Sequence, residues 1–193
     1  MQKSFDSFVG RLKEIGCGVE TSVLDGWDEA SENWVPIRRA EATAFHLKWL
    51  DSVPELYGED VRTLMEKGRD IRAVDYVNAV NSRPSLMQRF ATSMASLDLI
   101  AVPTTCATAP KVGETVTKVG GKEIETYIAL NSLTLPFNMV GFPAISVPAG
   151  HAQGLPVGVQ LVARPFEESR LLRTVHAYEK QFGPFPRPAG YLG

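Results

Sequence analysis

Residues 97–102 read Leu97-Asp98-Leu99-Ile100-Ala101-Val102, a short apolar run with Pro103, Thr104 and Thr105 directly behind it. An apolar run of this length, bounded by turn-forming residues, suits a strand buried on both faces. Two similar stretches follow, Ala144 to Val147 and Val157 to Ala163, with a connection at His151 to Gly154. Upstream of residue 97 the pattern is helical. Phe5, Phe8, Leu12 and Ile15 share one helical face, and Gly16 stands where a C-terminal cap belongs. Ile37, Ala40, Ala44, Leu47 and Leu50 repeat the helical spacing up to Pro54, and residues 59–67 and 73–95 predict two further helices separated by Gly68. Helices and strands mixed from end to end predict α/β layering.

The segments between these elements carry finer expectations. Val19 to Leu24 alternates like a short strand, Ser31 to Pro36 reads as a turn exposing Trp34, and Pro84 is placed to kink or divide its helix. Residues 103–125, rich in Pro, Thr and Gly, read as a long loop in which Gly120-Gly121 forms a hairpin turn. A helix near 125–132 follows. The last helix spans about Glu167 to Phe182, with Leu171, Leu172, Val175, His176 and Tyr178 mostly inward, and the tail PFPRPAGYLG is too proline-rich to extend it.

Composition narrows the function classes. The 193 residues are 44% hydrophobic, enough for a buried core, and the net charge of −2 supplies no basic stripe for a phosphate backbone. The densest basic spot, Arg38-Arg39, is flanked by acids and reads as a solvated helix face. Cys17 and Cys106 lie far apart without a C-x-x-C pattern, so two reduced thiols in a cytoplasmic protein are expected. The amphipathic N-terminus lacks the apolar core of a signal peptide, and no apolar run is long enough to span a membrane. Gly16 and Gly18 lack the third glycine and the strand-then-helix order of a dinucleotide loop.

A search for chemistry finds no nucleophile with an activating partner. No serine is flanked as in G-x-S-x-G or followed by lysine as in S-x-x-K; Thr108-Ala-Pro-Lys111 and Thr115-Val-Thr-Lys118 have that spacing by coincidence in a threonine-rich loop. His46, His151 and His176 are isolated and have no metal-ligand spacing, so no metal site is indicated. Asp98, Glu123 and Glu125 lack the partner that would mark an acid–base pair. Ser146, within a strand, is expected to satisfy a backbone group.

Four ordered motifs nevertheless resemble the amidase-signature family. Asp98-Leu-Ile-Ala-Val-Pro-Thr-Thr resembles its D-x-(apolar)-x-x-P-T segment. Thr134-Leu-Pro-Phe-Asn-Met-Val-Gly-Phe-Pro-Ala-Ile-Ser-Val-Pro-Ala-Gly resembles its T-x-P-x-N-x-x-G-x-P-A-x-S-x-P-x-G run. Gly154-Leu-Pro-Val-Gly-Val-Gln-Leu-Val matches the next segment, and Phe166-Glu-Glu-Ser-Arg-Leu-Leu-Arg, with Tyr178-Glu179 after it, matches the closing helix. Glu41 with His46, and Tyr57-Gly58-Glu59-Asp60-Val61-Arg62, are similar to the preceding helical region.

The resemblance implies the C-terminal portion of the amidase-signature fold, a mixed β-sheet flanked by helices. Residues 1–193 would be the C-terminal part of one domain, helical over about 1–96, with strands, loops and a closing helix over about 97–183. Family members cleave amides through a serine, a bridging serine in a cis peptide and a lysine, with backbone N–H groups holding the oxyanion. Those residues belong to a Gly/Ser-rich region and a preceding lysine in the N-terminal half, and no Gly-Gly-Ser-Ser-Gly-like stretch occurs here. The resemblance therefore assigns no catalytic residue to this chain and implies inactivity alone. It implies no cofactor. The expected partners are the missing N-terminal half, in cis or as a separate chain, and a small-molecule amide, with no nucleic acid and no membrane; a homo-oligomer is compatible with the same reading. The substrate-pocket candidates are Asn131, Thr134 and Asn138. In members that make glutaminyl-tRNA, an acid is expected near Asn131 and an Arg-Arg pattern near Thr63-Leu64; both are absent, which favours a small-substrate amidase.

Overall fold

A computed structural model describes residues 1–185. In chain order the elements are α1 (Gln2–Glu14), α2 (Trp27–Ser52), a 3-10 turn (Pro54–Leu56), α3 (Glu59–Glu66), α4 (Ala73–Ser93), β1 (Ile100–Pro103), β2 (Val116–Val119), β3 (Lys122–Glu125), α5 (Thr126–Asn131), α6 (Leu135–Val140), β4 (Ala144–Ala152), β5 (Leu155–Val162) and α7 (Glu168–Phe182). The expected α/β layering holds. Both sheets are antiparallel: three strands in the order β1-β5-β4, and the separate hairpin β2-β3.

The period of two along β5 organises two cores. Val159 and Leu161 point to one face, where they join Val147 and Ala149 of β4 beneath Phe8 and Leu12 of α1 and Leu171, Val175 and Tyr178 of α7. Phe8 packs on Tyr178 with ring centroids 4.7 Å apart. Val162, on the opposite face, joins the second core, built from Ala30 and Ile37 of α2, Leu86 and Phe90 of α4, and Phe137, Met139 and Val140 of α6. Phe137 is held edge-on between Trp27, at 5.4 Å, and Phe90, at 6.1 Å.

Several local expectations are corrected by packing. Ser31 to Pro36 is not a turn: α2 runs unbroken through Pro36, and Trp34 is half-buried against the second core. Pro36 removes one helical hydrogen bond, but the carbonyl it strands belongs to exposed Glu32, where water can serve it, while Ala30 and Ile37 on either side are buried. Pro84 likewise leaves α4 undivided. Val19 to Leu24 forms no strand; the segment is largely exposed and has no strand beside it. The run at 97–102 begins its strand only at Ile100, and β1 is half-buried because it lies at the sheet edge with β5 as its one neighbour.

The long loop is shorter than expected, since Val116 to Glu125 forms the β2-β3 hairpin. Gly120 and Gly121 turn it with φ of 58° and 82°, a pairing that favours glycine. In β4-β5 the turn contracts to Gln153-Gly154, so His151 and Ala152 belong to β4. Leu172 and His176 face solvent on α7 rather than inward, while Leu171, Val175 and Tyr178 are buried. The proline-rich tail lies outside the described residues from position 186 onward. Among the described residues no helix is long and apolar enough to cross a membrane.

Leu86, fully buried in the second core, gives the fold a direct test. Leu86→Ala is expected to lower unfolding free energy by about 2–5 kcal/mol, whereas Val74→Ala at an exposed position on α4 should change it by no more than about 0.5 kcal/mol. Urea denaturation of both variants checks the contrast.

Candidate functional site

The pocket candidates sit where two short helices meet the sheet. Asn131 ends α5 and Thr134 precedes α6, whose second residue, Pro136, suits a first helical turn that needs no N–H there. Asn131 donates its Nδ2–H to the carbonyl of Tyr127 at 2.7 Å, and Thr134 donates its hydroxyl to the carbonyl of Asn131 at 3.0 Å. The structure thus brings Asn131 and Thr134 together. Asn138 lies one turn further along α6 with an exposed side chain.

Gln160 joins this junction to the sheet. Its side chain is buried, on the face of β5 opposite Val159 and Leu161, and its Nε2 donates to the carbonyl of Leu133 at 2.7 Å. The Pro103 carbonyl at the end of β1 lies 3.5 Å from the same nitrogen. Beyond β1 the chain stays close: Thr104 N–H donates to the Gly158 carbonyl at 3.0 Å, and Cys106 N–H to the Ala129 carbonyl at 2.9 Å. Cys106 Sγ and Ser132 Oγ are 3.2 Å apart. A polar seam therefore runs from the β1 loop across β5 to the α5-α6 junction.

Ser146 belongs to the same side of the sheet, opposite Gln160 in register. Among the described residues it satisfies no backbone group. Its hydroxyl is 2.7 Å from that of Thr104, because both lean over Gly158, where a Cβ would lie 2.7 Å from the Ser146 hydroxyl. The space these hydroxyls share exists because residue 158 has no side chain.

Arg38 and Arg39 are not a solvated face. Both are half-buried. Arg38 lies over the Tyr127 ring, 5.1 Å from its centroid, and donates to the Tyr127 hydroxyl. Burial first, and the neighbouring Arg39 charge second, push the Arg38 guanidinium below its ordinary range, though an arginine remains cationic. Arg39 Nε and the indole N–H of Trp34 are buried without acceptors among the described residues.

The other candidates are dispersed. His46 Nδ1 lies 3.0 Å from the Tyr57 hydroxyl, His151 and His176 are exposed, and the described residues contain no cluster of three His, Cys, Asp or Glu that could hold a metal. Lys118 faces Glu123 across the hairpin at 4.0 Å, and Asp98 pairs with Arg170 of α7. Burial, then the Asp98 charge, raise the Cys17 thiol, which keeps it protonated and poorly nucleophilic. A shallow concavity lined by Arg62, Thr63, Glu66, Lys67, Arg69 and Asp70 shares no residue with the α5-α6 junction.

Similarity to known proteins agrees with this architecture. The chain superimposes on a crystal structure of an amidase with a TM-score of 0.86 at 26% identity, over 94% of this chain and 42% of that one. The fold is that of the α/β amidases. A family model described as Amidase matches residues 2–172. The chain belongs to the amidase family. It is 36% identical to a glutamyl-tRNA(Gln) amidotransferase subunit of Exiguobacterium sp., over 97% of this chain and 43% of the relative. It is 37% identical to a fatty acid amide hydrolase of Medicago truncatula, over 66% of this chain and 21% of that protein. The chain thus spans less than half the length of the relatives it matches.

The Gln160 tie predicts a measurable cost. Gln160→Leu leaves the Leu133 carbonyl without its donor, and the loss should destabilise the chain by about 1–3 kcal/mol. Hydrogen exchange is expected to quicken at residues 131–134 more than in α1, which distinguishes a loosened junction from general unfolding.

Proposed function

We propose that this chain is the C-terminal portion of an amidase that hydrolyses C–N amide bonds of a small substrate. Residues 1–193 would be the C-terminal part of one amidase domain, helical over about 1–96 and built of strands, loops and a closing helix over about 97–183. The observation that carries the reading is coverage: 97% of this chain aligns with 43% of a relative. In this reading the nucleophilic serine, the bridging serine of a cis peptide and the base lysine come from an N-terminal part, in cis or as a separate chain. The serine displaces the amine to form an acyl-enzyme, and water releases the acid. This chain supplies sheet, core and one wall of the pocket, at Asn131, Thr134 and Asn138, and is inactive alone.

Asn131 supports a small substrate over the glutamine of a tRNA amidotransferase, since it is neutral where an acid would hold an amino group. Arg62-Thr63-Leu64 likewise lacks adjacent arginines. The same reading places the protein in the cytoplasm, in keeping with two unbridged cysteines.

A second reading, a non-catalytic binding or assembly module derived from an amidase, has its own support. Phe45 and Phe166 are 71% and 94% exposed. Exposed aromatic groups favour association through side-chain surfaces.

Purified chain is expected to release no ammonia from small amides above the buffer rate. Supplied with an N-terminal amidase half, it should gain turnover that falls roughly tenfold or more in Asn131→Ala, since correct positioning carries a large share of the barrier. Turnover by the chain alone, surviving repurification and lost on substitution within these residues, would overturn the inactivity. A homo-oligomer in size-exclusion chromatography that never gains turnover favours the assembly module.

A further inference from the structure

The distal half of α2 lies outside both cores. Ala30 and Ile37 anchor the helix in the second core, whereas Leu50, 3% exposed, belongs to neither core. Thr43, His46 and Leu50 follow the spacing of one helical face. That face meets the segment that follows it in the chain. Thr43 donates its hydroxyl to the Met65 carbonyl at 2.5 Å, and His46 Nδ1 lies 3.0 Å from the Tyr57 hydroxyl. The 3-10 turn and α3 pack chiefly on α2.

The covering segment has almost no core of its own. Neither the 3-10 turn nor α3 contains a buried residue, and between Val53 and Asp70 Gly68 alone is buried. An eight-residue helix does not hold itself in water, so α3 depends on what ties it down. Those ties are the two contacts above and an exposed ion pair, in which Arg69 reaches Asp51 at 2.6 Å. The far end is closed by shape. A Cβ at Gly68 would collide with the Arg39 carbonyl and the Thr43 hydroxyl of α2, so the backbone seats there only because residue 68 has no side chain.

We propose that residues 53–70 form a strap that opens from α2 as a unit while both cores stay folded, with Gly68 as its latch. A segment with few buried apolar contacts and a handful of polar ties opens at lower free energy than the cores beside it. Opening uncovers Leu50, which adjoins Trp49 in the chain. Trp49 and Phe45 are already 44% and 71% exposed, with rings 5.9 Å apart. The open strap therefore enlarges an apolar surface that the closed strap keeps small. This inference does not depend on the amidase reading.

Native-state hydrogen exchange, followed residue by residue by NMR on the whole chain, tests it. Amides of residues 62–67 are expected to exchange about a hundredfold or more faster than those of Val159 and Leu161 in β5. Gly68→Ala should speed residues 62–67 by about a further tenfold and raise the fluorescence of the dye ANS, while β5 and Phe90 of α4 keep their rates. Tyr57→Phe, which removes one tie and leaves the latch, should show the same local pattern more weakly, and it carries the comparison should Gly68→Ala fail to fold. Exchange at residues 62–67 as slow as in β5 would overturn the proposal. So would equal acceleration of the strap and β5 in either variant, because strap and cores would then unfold as one body. Unchanged rates at residues 62–67 in Gly68→Ala would overturn the latch.

Discussion

Strand β5 is the member on which both halves of the core rely. Pairing with β1 on one side and β4 on the other fixes which of its side chains face which layer, because a shift of one residue would exchange them all. In the observed register Val159 and Leu161 meet α1 and α7, while Val162 meets the layer of α2, α4 and α6. The same register sets Gln160, the one buried side-chain amide among the described residues, against the α5-α6 junction. Moving Gln160 to the other face would bury an unsatisfied polar group among Phe8, Leu171 and Tyr178, so polarity and packing specify one alignment together.

The pocket candidates inherit their position from that alignment. Two six-residue helices could not hold a geometry by themselves, since so few turns barely offset their nucleation. They are held from outside: the aromatic contacts of Phe137 anchor α6, Gln160 fixes the link between the helices, and Arg38 clasps Tyr127 of α5. Asn131 and Thr134 therefore rest on the long helix α2 as much as on the sheet.

Much of this was legible in the sequence, and the failures have physical causes. Helical spacing located α1, α3, α4 and α7, and the apolar runs located β4 and β5, because those elements bury one periodic face. The break expected at Pro36 did not occur, since burial of Ala30 and Ile37 on both sides outweighs one missing hydrogen bond. Val19 to Leu24 has the alternation of a strand but no neighbour to pair with, and pairing partners are not encoded locally. Asn131, Thr134 and Asn138 were pocket candidates by motif resemblance alone, and the contact between Asn131 and Thr134 had no sequence signal of its own. Gln160 carried a signal, as the lone polar residue in an apolar run. Arg38 did not: nearby acids in sequence suggested a solvated face, and its contact with Tyr127 spans 89 positions.

The interrupted course of β4 bears on how this sheet ends. Its ladder is regular from Ala144 to Pro148 and then shifts before His151, with Gly150 at φ 102°. Pro148 has no N–H to offer a newcomer, and the bulge twists the remaining edge out of line. At the other border, β1 is four residues long and closes with Pro103. Neither border presents a long, flat template, so stacking of chains strand upon strand into fibrils is discouraged even though both borders are open. Self-association is thereby directed to side-chain surfaces, where shape and charge discriminate between partners in a way that a bare backbone cannot.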